Sequence, residues 1–392
     1  MVFNRLKIMM RYLIVSLILI GSTLNLSAQF TMDGEFRPRT HFKIIGAQND
    51  SIFDQVDQEA TAFANQRTRI NFNYKTDDYS MKISVQDVRT FGSNSTLSQG
   101  AGNQLDLHEA WAELKIVKNL SFKVGRQELA YDDQRILGSS NWAQQARSHD
   151  LGLLKYEGVV TAHLGFAYNK GNDVVGSYES LKYLWLEKKM DEFNISALGM
   201  DVDGLLTAGG RAVYKTDAIN VSVNIYSQSN PDDTDNKGLL LGLDGNYSLK
   251  NGLNFGLGFE SQTGTEDGTL AFKPVFGTNH KYNGNLDYFY VGDYDNSTGL
   301  VDMYFSLGYK LNNWKFGLTA HQFNSYIEMN NDLNGDLGKE LDVFTQYKIN
   351  DDVIIAVGHS SYLSTESMRA IQNLDGINNE TWLMIVFKPK FM

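Results

Sequence analysis

The stretch Asn251-Gly-Leu-Asn-Phe-Gly-Leu-Gly-Phe-Glu-Ser261 has two chemically different sides when it is drawn as an extended chain. Successive side chains of a β-strand point to opposite sides of the sheet. One side therefore carries Leu253, Phe255, Leu257 and Phe259, and the other carries Asn254, Gly256, Gly258 and Glu260. A single two-faced strand also fits a soluble sandwich, so the number and spacing of such segments must decide the fold.

The same period of two recurs along the chain. It predicts eighteen strands, near residues 30–45, 61–75, 79–90, 105–117, 120–129, 149–156, 159–168, 180–190, 193–202, 204–215, 218–228, 238–249, 252–262, 299–310, 313–323, 338–349, 352–363 and 379–391.

The connections between these strands alternate in length. Every second one is minimal, such as Lys118-Asn119 and Asn350-Asp351, whereas most of the others are long, such as 130–148 and 263–298. Tyr-Lys pairs, for example Tyr309-Lys310, precede several of the short turns. Short turns at one end, long loops at the other and aromatic residues at the interface are typical of outer-membrane barrels.

These patterns predict an all-β protein, an antiparallel transmembrane β-barrel of about eighteen strands over residues 29–392. Only helices and closed barrels satisfy every backbone group inside a bilayer, and no segment after the N-terminus is apolar for long enough to form a spanning helix. The apolar side of 253–259 is then expected to face lipid and the other side a wet lumen. A barrel of this size leaves an aqueous channel unless loops fill it.

The N-terminus has the order of a secretory signal peptide. Arg5, Lys7 and Arg11 precede an apolar run at 12–20, and small residues end at Ala28. The run is shorter than the roughly 18 residues that a transmembrane anchor requires. We expect a signal peptide at 1–28, cleavage near Ala28, and export to the outer membrane of a Gram-negative bacterium, with its lipid as a partner.

Composition excludes several classes of function. Without residues 1–28 the chain has 32 basic and 46 acidic residues, a formal charge of −14, which is unfavourable for binding nucleic acid. It contains no cysteine and therefore no disulfide or thiolate metal site.

The arginines are concentrated in the first part of the chain, where several lie two residues apart on one side of a strand. A planar guanidinium binds carboxylates in a bidentate manner, and rings of cations make pores favour anions. The candidate pore-lining, substrate-binding residues are Arg37, Arg39, Arg67, Arg69, Arg89, Arg126, Arg135 and Arg147. The alternative is that they brace the barrel wall by pairing with Asp33, Glu35, Asp87, Glu109, Glu113 and Glu128.

Signatures of enzymes and metal sites are weak. Gly358-His-Ser-Ser361 lacks the second glycine of a nucleophile elbow and lies in an alternating strand. The acidic segments at 233–238 and 332–336 depart from the pattern of a calcium loop. We therefore expect no catalytic activity, no cofactor and no metal.

The segment Gly125-Arg-Gln-Glu-Leu-Ala-Tyr-Asp-Asp-Gln-Arg-Ile-Leu-Gly-Ser-Ser-Asn-Trp-Ala-Gln-Gln-Ala-Arg-Ser-His-Asp150 resembles the signature of the alginate export family of outer-membrane porins. Shorter supporting stretches are Gln86-Asp-Val-Arg89, His108-Glu-Ala-Trp111 and 277–289. The resemblance implies an eighteen-stranded barrel with an arginine-rich lumen that passes an anionic polysaccharide. It points to Arg89, Arg126, Arg135 and Arg147, whereas the other four candidates come from strand phase.

We therefore expect a passive outer-membrane channel for anionic sugars or an alginate-like polysaccharide. Only Arg211 and Arg369 follow Arg147, so the arginines could line one wall and serve small anions instead of a polymer. A general diffusion porin is the alternative, and a hydrolase or an adhesin is a less favoured one. The loop at 130–148, with its arginines and aromatic residues, is expected to fold into the mouth and constrict it.

Overall fold

The structure is a computed structural model that describes residues 29–45, 59–93, 96, 105–169, 178–230, 233–265, 271–289, 298–329, 333–372, 374 and 376–392. At 59, 233–237 and 279 the backbone alone is described. The expected signal peptide at 1–28 lies outside the described residues, as does Asp332 of the second acidic segment.

Eighteen strands make up nearly all of the regular structure in the described part of the chain. They are β1 Gln29–Ile45, β2 Glu59–Lys75, β3 Tyr79–Thr90, β4 Leu105–Val117, β5 Leu120–Gln127, β6 His149–Glu157, β7 Thr161–Tyr168, β8 Ser180–Lys189, β9 Phe193–Val202, β10 Leu205–Lys215, β11 Ile219–Asn230, β12 Asp233–Ser248, β13 Leu253–Gln262, β14 Leu300–Leu311, β15 Trp314–Asn324, β16 Asp336–Lys348, β17 Val353–Leu363 and β18 Ile377–Phe387. A 3₁₀ turn, Asn279–Lys281, and a short helix, α1 Glu366–Gln372, lie in the long connections.

Each strand pairs antiparallel with the next, and β18 pairs with β1, so the sheet closes on itself. This confirms the predicted eighteen-stranded barrel. The largest differences from the predicted bounds are at β12, which begins at Asp233, and β18, which ends at Phe387. After β18 the chain continues along the seam, where the N–H of Met32 donates to the carbonyl of Met392 at 3.0 Å.

The two sides of β13 have the expected environments. Phe255 and Leu257 are 39% and 68% exposed on the outer surface, whereas Glu260 is 2% exposed inside. Gly258 faces inward, where a Cβ atom would collide with the ring of Tyr304 from the next strand. Apolar side chains are therefore exposed on the outside, as a lipid-facing wall requires. None of the helices in the described residues is long and apolar enough to cross a membrane.

The interior differs from a uniformly wet lumen, because one sector of the inner wall is apolar. Inward residues of β6 to β12 pack against the long loops in one core cluster. The cluster comprises Leu129, Ile136, Leu137, Leu151, Leu153, Ala167, Leu181, Tyr183, Trp185, Leu198, Met200, Val202, Tyr226, Leu240, Phe272 and Phe276. Burial of a large apolar side chain contributes roughly 1.5–3 kcal/mol, so this wall offsets the entropy lost when the loops become ordered inside the barrel.

Candidate permeation site

The loop at 130–148, named here the crossbar loop, lies inside the barrel. The inward guanidinium of Arg37 on β1 donates to its backbone carbonyls, at 2.9 Å to Asn141 and 3.1 Å to Ala143, and to the side chain of Gln144 at 3.0 Å. Carbonyl oxygens that carry no hydrogen bond are costly to bury, so a guanidinium with several donors suits this role. The expectation that this loop enters the barrel agrees with the structure.

Two further arginines hold the same end of the crossbar loop. Arg39 donates to the carbonyl of Trp142 at 3.0 Å, and its guanidinium lies 4.1 Å from the centre of that indole ring. Arg67, of which 1% is exposed, binds Glu35 and donates to Asn141 Oδ1 at 2.9 Å. These arginines therefore both brace the wall and anchor the loop.

The other end of the crossbar loop is held by the opposite wall. Arg135, which belongs to the loop, binds Glu260, lies 2.9 Å from Asp244 and 3.3 Å from Asp133, and stacks 3.9 Å from the centre of the Tyr282 ring. Only 1% of its side chain is exposed. A buried cation with three carboxylate partners is expensive to remove, because the carboxylates would lose their compensation. Arg135 thus holds the loop across the lumen.

The ion pairs around Arg135 shift the pKa values of ionisable groups in the crossbar loop. Burial by itself would lower the pKa of Arg135, but Asp244, Tyr282 and Asp133 outweigh burial and raise it. Burial would also raise the pKa of Asp133, yet Arg135 and Arg211 hold that pKa below its usual value. Both groups are therefore held in their charged forms.

A second segment inside the barrel, residues 271–289, is named here the companion loop. The ring of His280 stacks 4.3 Å from that of Trp142 with an angle of 6° between the planes, and Lys281 donates to the carbonyl of Asp133 at 2.9 Å. Arg147 joins the two loops, because it donates to the carbonyls of Gly138 and Gly277 at 3.3 and 3.2 Å. The two loops form one structure that crosses the lumen.

Two walls of the barrel interior differ in charge, although the one on β1 to β6 also carries the inward acids Glu35, Glu109 and Glu113, each paired with a cation. One wall, on β1 to β6, is named here the basic wall. Its inward cations are Lys43, Arg39, Arg37, Arg67, Arg69, Lys82, Lys123 and Lys155. The other wall, on β12 to β16, is named here the acidic wall. Its inward acids are Asp244, Glu260, Asp302, Glu340 and Asp342.

Cavities lie along the basic wall on both sides of the crossbar loop. Towards the long loops, a cavity of about 840 Å³ is bordered by Arg39, Lys43 and Trp142. Towards the short turns, one of about 520 Å³ is bordered by Arg69 and Lys388. Cations therefore border the space on both sides of the obstruction.

Six of the eight candidate arginines lie inside the barrel. Arg37, Arg39 and Arg67 hold the crossbar loop, Arg135 and Arg147 belong to it, and Arg69 borders the second cavity. Arg69 donates to Gln86 at 2.7 Å and lies 3.5 Å from Glu128.

Arg89 and Arg126 are corrections, because alternation turns both side chains outward. Arg89 lies opposite Gln66, whereas the inward Arg67 lies opposite Val88. Arg89 borders the mouth cavity, yet its guanidinium is held on the outward side by Asp87 at 2.6 Å. Arg126 forms an ion pair of 2.8 Å with Asp150, and both side chains are largely exposed. The pairing of β3 with β4 contains a bulge on β4, where His108 is an extra residue opposite the Ser84–Val85 step of β3.

Three inward lysines and the acidic wall were missed in the sequence. Lys82, Lys123 and Lys155 share the inward phase of their strands, so alternation alone could have identified them. A signal for the apolar sector was also present. Leu181-Lys-Tyr-Leu-Trp-Leu186 has apolar residues on both sides, as a strand buried on both faces does.

Candidate metal and catalytic groups are engaged in other interactions. His108, Glu109 and Glu128 bring three potential ligand atoms within 4.8 Å of one another. Lys82 binds Glu109, and Arg69 lies near Glu128, so protein cations already balance these carboxylates. The Gly358–Ser361 segment lies in β17, as expected.

Comparison with known proteins agrees with this architecture. The family model described as "Alginate export" matches residues 39–164. Among solved structures, OccAB4 of Acinetobacter baumannii has a TM-score of 0.65 at 14% identity, with 92% of this chain and 98% of that chain covered. OpdO of Pseudomonas aeruginosa has a TM-score of 0.66 at 10% identity, with 93% and 98% covered.

OpdK of Pseudomonas aeruginosa, solved with vanillate, has a TM-score of 0.61 at 10% identity, with 93% of this chain and 99% of that chain covered. No curated protein sequence matches this chain. The matched family is one of outer-membrane porins and not of enzymes, in agreement with the expectation for this chain. The chain is an outer-membrane β-barrel of eighteen strands that is similar, over residues 39–164, to the alginate export family of porins.

Proposed function

We propose that the chain conducts anionic solutes passively across the outer membrane, along the basic wall. The observation that carries this proposal is the series of inward cations on β1 to β6, with a cavity on each side of the crossbar loop. Cations next to a narrow, low-dielectric passage act on a passing ion more strongly than charges in wide, screened loops. The negative formal charge of the whole chain is therefore compatible with anion preference.

The solutes favoured are small anionic sugars, of the size of one or two uronate units. The crossbar loop is fastened to both walls, by Arg37, Arg39 and Arg67 on one side and by Arg135 on the other. A continuous polysaccharide would have to pass this obstruction, so alginate-like polymer is a substrate only if the loop moves aside. Vanillate, the ligand solved with OpdK, is also a small ring-bearing carboxylate and is a second probe to test.

A general diffusion porin is the second candidate, and the acidic wall favours it. Acids on β12 to β16 opposite cations on β1 to β6 create a transverse field, which orients and sorts solutes without a binding site for any one of them. Such a pore would pass neutral sugars about as readily as anionic ones of the same size.

Single-channel recording with competing solutes separates these candidates. Glucuronate should reduce the chloride current more than glucose does, and a uronate oligomer should block without passing. Arg69→Gln should weaken the block by glucuronate, whereas Arg126→Gln, a loss of the same charge on the outer surface, should not. Equal effects of glucuronate and glucose would favour general diffusion, and free passage of the oligomer would favour polymer transport.

A further inference from the structure

Two buried carboxyl groups of the acidic wall are neighbours on one strand. Glu340 and Asp342 are 2% and 3% exposed and lie two residues apart on the inward side of β16. Among the described residues, Glu340 Oε2 and Asp342 Oδ1 are buried oxygens with no hydrogen-bond partner. Ionised carboxylates only accept hydrogen bonds, so two ionised groups here would repel each other with nothing to bridge them.

The companion loop is wrapped around the same carboxyl group. Glu340 Oε1 accepts the backbone N–H of Leu286 at 2.9 Å. Gly284, at a φ of +86°, lies so close that a Cβ atom there would be 2.6 Å from Glu340 Oε2. A positive φ and close approach both favour glycine, so the loop backbone is shaped to enclose this side chain. The protonation state of Glu340 therefore affects the position of the companion loop.

Among the described residues, the nearby basic groups are engaged elsewhere: Lys281 donates to the carbonyl of Asp133, and His280 lies 3.0 Å from Asp287. His321 on β15 lies 3.8 Å from Asp342, but its other ring nitrogen is 2.9 Å from Asp302 on β14, so two carboxylates share it. A neighbouring cavity of about 260 Å³ touches Asp342 and His321. The other titratable groups that face the pair or this cavity are Asp244, Tyr304, Tyr362, His280, Lys281, Tyr282 and Tyr288.

We propose that Glu340 and Asp342 share one proton and that this proton is a latch that keeps the companion loop across the lumen. The shared proton provides the donor that the two oxygens lack and leaves Glu340 Oε1 free to accept from Leu286. Loss of the proton places two negative charges in contact inside the barrel, and their repulsion is relieved when Glu340 leaves the loop.

The latch has a defined direction with pH. The proton is lost as the pH rises, so the loop is held at lower pH and released at higher pH. Release would also disturb the stacking of His280 on Trp142, which joins the companion loop to the crossbar loop. We therefore expect the pore to open wider at alkaline pH. This inference rests on the proposed function only in requiring that the barrel conducts ions.

The test is single-channel recording of the wild-type barrel as the pH is raised from about 6 to about 10. Loss of one proton predicts that the occupancy of the wider state rises by up to about tenfold per pH unit through the transition. Glu340→Gln should abolish this rise, because its amide N–H can donate to Asp342 Oδ1 while its carbonyl still accepts from Leu286. Asp342→Asn should also abolish this rise, because its amide N–H can donate to Glu340.

Glu113→Gln is the matched control, because it removes an inward carboxylate of the basic wall that is paired with Lys155 at 3.0 Å. This variant should keep the alkaline opening, and mobility shifted by boiling should show that all three variants fold. A wild-type current that is insensitive to pH, or an alkaline opening that survives in both Glu340→Gln and Asp342→Asn, would overturn the latch. The same recordings report whether the pore prefers anions. Alkaline opening of a pore without anion preference would contradict the proposed function but support the latch.

Discussion

Arg135 and Arg126 both belong to the segment that resembles the family signature, yet their surroundings predict opposite results when the charge is removed. Arg135→Gln leaves Asp244 and Glu260 buried without compensation, a loss of about 3–5 kcal/mol from the attachment of the crossbar loop. Arg126→Gln removes an exposed pair that contributes about 0–1 kcal/mol. We expect the first variant alone to show protease cleavage in 130–148 and a larger conductance. Equal protease resistance of the two variants would show that the ion pairs of Arg135 do not hold the crossbar loop.

The crossbar loop should also detach in acid. The pKa of Asp133 is lowered in the folded loop by Arg135 and Arg211, although burial opposes this. A lowered pKa stabilises the fold above the unfolded value of about 3.9, and the contribution is lost as the pH falls through the folded value. Proteolysis of the loop should therefore increase below about pH 4. Asp133→Asn should weaken attachment at neutral pH and flatten this dependence, and a wild-type loop that stays resistant in acid would count against it.

Side-chain direction could be predicted from the sequence wherever the strand phase is regular. Arg37, Arg39, Arg67 and Arg69 face inward as their spacing predicts. Arg89 was expected inside because the resemblance to the alginate export family points to it. Strand alternation instead places it with Asp87 on the outward side of β3. The partners of Arg135 could not be predicted, since Asp244 and Glu260 reach it only through the closure of the barrel.

At the scale of elements, the crossbar loop can be tested by deletion. Removing Gly138–Gln144 takes away the carbonyl groups that accept from Arg37 and Arg39, so these guanidiniums would face the lumen. We expect higher conductance and stronger anion preference, measured in a planar bilayer. A deletion of similar length within 325–335, in the long connection between β15 and β16, serves as a control. Conductance that is unchanged by the first deletion would place 138–144 outside the solute path.

The strands were predictable because a period of two is a local property, whereas the inward fold of the long loops is not local. The loops enter the barrel for two reasons. Leu137 and Phe276 pack against the apolar wall formed by β6 to β12. Arg37 and Arg67 donate hydrogen bonds to carbonyl groups of the crossbar loop. Local traces of this arrangement are the apolar run at 181–186 and the arginines and aromatic residues of 130–148. The α1 helix and the 3₁₀ turn are too short to give a periodic signal.

At the scale of the whole molecule, the closed sheet makes a strong prediction about stability and orientation. Unboiled protein should migrate differently from boiled protein in detergent, with a β-rich circular dichroism spectrum. A cysteine at Ser93, in a long connection, should react with an impermeant label on intact cells, whereas one at Asp351, in a short turn, should not. The reverse labelling would show that the short turns face outward.

We propose that solutes follow the basic wall despite the negative charge of the chain. The decisive measurement is the reversal potential of single wild-type channels that separate two concentrations of potassium chloride. The sign of this potential reports whether the narrow part of the lumen is dominated by the cations of β1 to β6 or by the acids of β12 to β16. We predict a reversal potential of the sign that chloride preference requires, moved towards zero when Lys82, Lys123 and Lys155 are replaced together by glutamine. A wild-type potential of the opposite sign, showing preference for potassium, would show that the acids of β12 to β16 dominate the solute path.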